Sequence, residues 1–331
     1  MTLTAAQECL WRNHKVQFNI CTNIDNFAGL EQDYKMLRGL LESWGHKVNG
    51  IHYHRICGGE ARADVNIFLE VIAPTIMPKA KHNWFIPNQE WYCSSYDAIL
   101  PHMTKILCKT HDAEVIFRNK LKVLPDRIQY IGFESRDMYD PSIPRQRKFL
   151  HVAGKSCYKN SEAVAYAFAK YFDTPWEPEN NHELVFVGVH ENLLAAARGH
   201  KNIQYIPQTS EAELQRLMNE CEFHILPSSA EGWGLAIHEG LSCGAVMITT
   251  DFPPMNEFTG ASIFVKSQKI TDCCAAKRAA VCAPEIKEAI EKAWSMSSEQ
   301  ISEAQTKART YFLGQRENFR AAFKQVVDSV S

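Results

Sequence analysis

The sequence predicts an α/β protein of two Rossmann-like, doubly wound domains facing a cleft. Three observations lead there. Short apolar runs alternate with segments of helical period along most of the chain. The rhythm resets once, at the polar, proline-bearing stretch 140–148. The length of 331 residues exceeds one ordinary domain and suits two of roughly 150.

In the first half, residues 16–22 read as a strand. Residues 31–44 follow with helical period and stop at Gly45. Residues 48–54 and 65–70 are strand-like, and 83–87, 105–109 and 129–133 are shorter candidates. After the reset, 149–153 is a strand, 161–172 a helix and 184–189 a strand. Then come a helix over 192–198, a strand over 203–206 and a helix over 211–220. A strand over 223–227, a helix over 234–242 and a strand over 245–250 complete the series. The tail from Pro284 is helical, most periodic over 285–294 and 318–330. The expected domains are therefore 1–145 and 146–331, with the ligand site in the cleft between them.

Composition narrows the functional classes. The chain is 45% hydrophobic and 22% charged, as in soluble globular proteins, and its net charge is -2. A mild basic excess over 101–148 is too small for a nucleic-acid clamp. The eleven cysteines are odd in number and show no C-x-x-C spacing, so a reduced, cytoplasmic chain is expected. No leader and no run of 18 apolar residues stands out, so no membrane span is expected. His52 and His54 alternate on a strand without a third ligand, and no zinc site is expected. There is no Walker loop and no G-x-S-x-G elbow.

Two loops carry the chemistry. In Leu226-Pro227-Ser228-Ser229-Ala230-Glu231-Gly232-Trp233-Gly234-Leu235 a buried strand ends, small residues follow and a helix begins. The glycines admit close backbone approach, and a helix N-terminus offers unpaired N–H donors to an anion such as phosphate. A tight strand-to-helix turn would use the same glycines. Glu231 and Glu239 flank the helix start, eight residues apart. Carboxylates there suit sugar and ribose hydroxyls, or equally a cap and a solvated glutamate. In His151-Val152-Ala153-Gly154-Lys155-Ser156-Cys157-Tyr158-Lys159-Asn160 two lysines sit four apart after a strand. Fixed cations stabilise a diphosphate leaving group as its charge develops. No D-x-D motif stands in a suitable loop, so lysines would replace a metal.

With these residues in view, 149–260 resembles the nucleotide-binding half of GT-B-fold glycosyltransferases, in particular the large retaining family four. The pattern runs through Gly154-Lys155…Lys159, Phe186-Val187-Gly188, Tyr205-Ile206-Pro207-Gln208 and Glu213-Leu214. It closes with Glu231-Gly232-Trp233-Gly234-Leu235…Glu239 and Gly244-Ala245-Val246-Met247-Ile248-Thr249-Thr250.

The resemblance implies that Lys155 and Lys159 bind the donor diphosphate, Lys155 standing where arginine is commoner. It implies that the amides of Gly232, Trp233, Gly234 and Leu235 hold the distal phosphate. Glu231 would contact the sugar and Glu239 the ribose, with Ile206, Pro207 and Gln208 beside the base. In the first half, Asn23-Ile24-Asp25-Asn26-Phe27-Ala28-Gly29-Leu30-Glu31 resembles the family's first glycine loop, with Gly29 near the donor. Asn88 stands near where the family often has a histidine. By the same resemblance, 1–145 is the acceptor domain, 146–331 binds the nucleotide sugar, and the last helix crosses back.

Asn88, Gln89 and Glu90, beside Trp91 and Tyr92, suit sugar recognition or a capped loop with an aromatic plug. Lys109-Thr110-His111-Asp112 follows another strand and could line the cleft on the acceptor side, where His111 reads as a cap-region residue rather than a base. Arg136 faces the acceptor or pairs with Asp137. The expected activity is a metal-independent hexosyl or pentosyl transfer, with retention, from a nucleoside-diphosphate sugar to an acceptor hydroxyl. The acceptor is a glycan, protein or small molecule, and no cofactor is expected. A related GT-B phosphorylase or epimerase, or a non-catalytic sugar-nucleotide-binding subunit, is the alternative.

Overall fold

The computed structural model describes residues 15–25, 29–121, 125–154, 156–172, 182–188 and 200–330. Two six-stranded parallel sheets carry the fold. The first comprises β1 (Gln17–Thr22), β2 (Lys47–His52), β3 (Ala63–Leu69), β4 (Ala80–Ile86), β5 (Lys105–Cys108) and β6 (Ile128–Tyr130), in the order 2-1-3-4-5-6. The second comprises β7 (Gln146–Val152), β8 (Leu184–Val187), β9 (Ile203–Ile206), β10 (Cys221–Leu226), β11 (Val246–Thr250) and β12 (Ile263–Val265), in the order 12-11-10-7-8-9. Counted from β7, that order is 3-2-1-4-5-6, the doubly wound arrangement expected of alternating strands and helices.

The helices are α1 (Gly29–Ser43), α2 (His111–Leu121), α3 (Ser161–Tyr171), α4 (Glu211–Glu220), α5 (Leu235–Ser242), α6 (Ala283–Trp294) and α7 (Ser298–Asp328). α1 forms because Leu30, Tyr34, Leu37, Leu40 and Leu41 recur at helical spacing and all are buried. α5 lies between the buried strands β10 and β11 in the chain and is itself buried from Ile237 to Ser242. α7 opens with a capping box, Ser297 Oγ accepting from the Gln300 amide while the Gln300 side chain accepts from the Ser297 amide.

Differences from the sequence reading follow from pairing. The stretch 140–148 is shorter as a connector, because Gln146 already pairs with Cys221 across β7 and β10. α2 presents few apolar residues, only Ala113 and Phe117 among them fully buried, and so carried little periodic signal. The hairpin β13 (Ile270–Cys273) and β14 (Ala276–Ala279) is polar and was equally silent. The helix expected over 192–198 lies outside the described residues.

α7 joins the two sheets. Its Ala308 and Phe312 share an apolar cluster with Leu241 and Phe258 of the second half, and its Phe319, Phe323 and Val327 share it with Phe18, Leu37 and Leu41 of the first. Phe323 lies 6.0 Å from Trp44, ring to ring. Arg320 Nε donates to the buried Glu134 at 2.7 Å, and Arg309 grips Asp137 through both terminal nitrogens at 2.6 and 2.9 Å. No helix among the described residues is long and apolar enough to cross a membrane.

Candidate functional site

Sheet order dictates where ligands bind. In open parallel sheets the crevice lies beyond the carboxyl ends of neighbouring strands whose connections run in opposite directions. In the second sheet that point falls between β7 and β10. The loops that leave them are the two glycine loops, 153–160 and 227–234. In the first sheet it falls between β1 and β3, which lead into Gly29 and Glu70.

The two loops of the second half are stitched together. The Ser229 amide donates to the Tyr158 carbonyl at 2.7 Å, and Asn160 Nδ2 donates to the Pro227 carbonyl at 2.7 Å. This brings Lys159 Nζ to 2.5 Å from Glu231 Oε1, with both side chains about nine-tenths buried. Beyond Glu231, Gly234 takes φ +76 as the N-cap of α5, with no side-chain cap bond. A left-handed cap without a side chain leaves the first amides of α5 without intrahelical acceptors. Glycine φ of +60 at Gly154 turns the lysine loop in the same way.

The first half supplies the opposite wall. Gln89 Nε2 donates to the Glu231 carbonyl at 3.1 Å. A Cβ on Gly232 would lie 2.8 Å from Asn88 Cγ and 2.9 Å from its Cβ, so Asn88 abuts the loop that precedes α5. A Cβ on Gly29 would lie 3.2 Å from Leu235 Cδ1. Glu90 is buried, and its Oε2 has no hydrogen-bond partner among the described residues. Burial first, and the Glu231 charge second, push its carboxyl up to about 8. Trp91 is 45% exposed and meets Tyr158 across the cleft in a tilted ring contact, centroids 4.9 Å apart.

A helix start without a side-chain cap, a buried lysine–glutamate pair and a facing polar wall form one crevice. A model of the glycosyl transferases group 1 matches residues 141–308. The chain belongs to this family. Solved structures share the fold of this group 1 glycosyl transferase over 95–96% of its length. A glycosyltransferase from Rickettsia africae ESF-5 is 13% identical, with TM-score 0.72 over 96% of this chain and 99% of that one. The sucrose-phosphate synthase of Thermosynechococcus elongatus is 12% identical, with TM-score 0.69 over 96% and 99%. WaaG, a glycosyltransferase involved in lipopolysaccharide biosynthesis, is 14% identical, with TM-score 0.64 over 95% and 99%. No curated protein matches at the sequence level. The architecture is accordingly GT-B.

Several predicted site residues of this group 1 transferase have distinct placements. Lys155 lies outside the described residues. Ile206, Pro207 and Gln208 leave the carboxyl end of β9, an edge strand, with Pro207 and Gln208 exposed. The Trp233 indole is core, stacked 3.7 Å from His238, so only its backbone faces outward chemistry. His111 starts α2, its amide and that of Asp112 donating to Glu257 of the second half at 2.9 and 2.7 Å. Its ring stacks on Tyr130 at 3.8 Å, consistent with a cap-region residue.

Arg136 does not pair with Asp137 as one reading of the sequence expected. It donates from Nε to Glu239 Oε1 at 2.7 Å and from Nη1 to Glu211 Oε1 at 3.1 Å, because Asp137 is occupied by Arg309. Burial raises the Glu239 carboxyl above the ordinary range, against the lowering pull of Arg136. His52 ends β2 and pairs with Asp25, while His54 belongs to the next turn. Among the described residues, no group of three or more His, Cys, Asp or Glu side chains is placed to hold a metal ion. The sequence reading passed over Asp33 and Glu70, and saw Lys109 only as part of a polar stretch after a strand. Each follows or packs under a strand end of the first sheet, and none belongs to a spaced motif.

Proposed function

We propose that this chain transfers a hexosyl or pentosyl group from a nucleoside-diphosphate sugar to an acceptor hydroxyl with retention, without a metal. The 1–145 half would hold the acceptor and the 146–331 half the donor. The observation that carries this reading is the Lys159–Glu231 pair beside the uncapped start of α5. A diphosphate entering there accepts hydrogen bonds from the α5 amides and draws the Lys159 ammonium from Glu231. Glu231 is then free to accept bonds from the sugar hydroxyls.

As the bond from the anomeric carbon to the diphosphate oxygen breaks, its electron pair passes to that oxygen. Lys159, Lys155 and the helix start stabilise the charge as it builds, which is where preorganised donors have most effect. The acceptor hydroxyl attacks from the same face, and its proton passes to the departing phosphate oxygen. Glu239, with one oxygen on Arg136, offers the other to the ribose. Polar surfaces meeting across the cleft keep water from the reacting carbon.

The test is nucleoside diphosphate release from sugar nucleotides in the absence of acceptor, after a thermal-shift comparison of UDP, GDP, ADP and CDP has chosen the base. Slow release, abolished in Lys159→Ala, is the expected result. Nucleotide binding without turnover over a panel of sugars and acceptors would sink the proposal in favour of a binding subunit.

A further inference from the structure

Behind Asn88 lies a group of charges that the core does not need. The Lys109 ammonium follows β5 and is 1% exposed. It donates to Asp33 Oδ2 at 2.6 Å and to Asn88 Oδ1 at 3.0 Å. It also sits 4.3 Å above the centre of the Phe133 ring. Glu70, which follows β3, accepts from Asn88 Nδ2 at 2.7 Å. Its φ is +67, a left-handed backbone that non-glycine residues seldom adopt and that gathers at functional sites. For stability alone, an apolar pair of similar volume serves a core as well as a buried ion pair does.

The charges determine the orientation of one amide. An ammonium only donates and an ionised carboxylate only accepts. Oδ1 of Asn88 therefore faces Lys109 and Nδ2 faces Glu70. Held in this way, the carboxamide abuts Gly232, where any Cβ would collide with it. The adjacent Gln89 holds the Glu231 carbonyl at 3.1 Å. The phosphate loop is thus braced from across the cleft at two consecutive residues.

We propose that Lys109 is a positioning residue for glycosyl transfer: with Asp33 and Glu70 it fixes the Asn88 carboxamide against Gly232 and so sets the phosphate loop and Glu231 relative to the sugar. This rests on the glycosyl-transfer reading above. Lys109 touches no substrate and acts through Asn88. Misplacing a reacting group by about 1 Å costs on the order of a hundredfold in rate, so the effect belongs on turnover more than on donor affinity.

Lys109→Met alone strands the buried Asp33 carboxylate and endangers folding. The test is therefore the neutral pair Asp33→Asn with Lys109→Met, alongside Asn88→Ala, which keeps the buried ion pair. Each is assayed for diphosphate release from UDP-, GDP-, ADP- and CDP-linked glucose, mannose, N-acetylglucosamine and xylose. The expected result is a fall in kcat of roughly tenfold or more with donor KM within about threefold. Parental kcat in a folded neutral pair, or in Asn88→Ala, overturns this inference alone. A parent chain inert on the whole panel overturns the glycosyl-transfer reading and this inference with it.

Discussion

Arg136, from the segment that leaves the first sheet, donates to Glu239 of α5 at 2.7 Å across 103 residues of sequence. It meets one of the two carboxylate oxygens, Oε1. The pairing holds the carboxylate in place and opposes the rise in proton affinity that burial causes.

Arg136→Met should therefore weaken nucleoside diphosphate binding about tenfold, or about 1.4 kcal/mol, with little change in kcat. Isothermal titration with the preferred nucleotide checks this. An unchanged dissociation constant would mean that the Arg136–Glu239 pair does not serve nucleotide binding.

Gly232→Ala places a methyl group on Asn88. Overpacking of this kind costs about 1–3 kcal/mol, and the loop must shift to relieve it. We expect a lowered Tm and loss of diphosphate release. Adding Asn88→Gly should recover much of the stability but not the turnover. Strictly additive losses of stability in the double variant would show that the two residues do not compete for the same space.

Glu90 makes stability depend on pH with a definite sign. An unfolded glutamate titrates near about 4.3, while the native carboxyl holds its proton up to about 8. Between those values the native state binds one proton more than the unfolded state. Its contribution is complete at acid pH and is lost as pH rises through that window. Glu90→Gln removes the slope, so its Tm advantage over the parent should widen from pH 5 to pH 8. A gap that stays constant over that range would mean Glu90 is ionised in the native state.

Phe323 of α7 is fully buried and lies against both Phe319 and Trp44. Phe323→Ala should cost about 3–5 kcal/mol and loosen α7 from the first half. Urea unfolding should show the lower midpoint. A loss under about 1 kcal/mol would mean that α7 is held by its arginine ties rather than by this apolar seam.

Much of the second half's wall of the crevice was legible in the sequence. The Gly154 loop, the Gly232–Gly234 loop and the helix behind Glu231 are local patterns, in which strand end, glycine and helix start follow one another within ten residues or so. The opposing wall was legible only in part. Asn88, Gln89 and Glu90 were visible as a polar cluster after a strand, but not their attachment to Glu231 and Gly232. Lys109 was visible only as part of a polar stretch after a strand, and its pairing with Asp33 gave no signal, because a buried charge pair separated by 76 residues has no spacing to recognise. Trp233 was read with its motif, yet its side chain belongs to the core.

Taken alone, the sequence determined the alternating strands and helices, the two-part organisation and the two glycine loops, since each depends on residues close together along the chain. Tertiary structure decided strand order, and strand order decided which loops share a crevice. It placed Arg136 on Glu239, Glu257 on the start of α2 and Asn88 against Gly232. Those pairings arise from the packing of whole sheets and of α7 across them, and packing leaves no periodic trace in the sequence at any one of these positions.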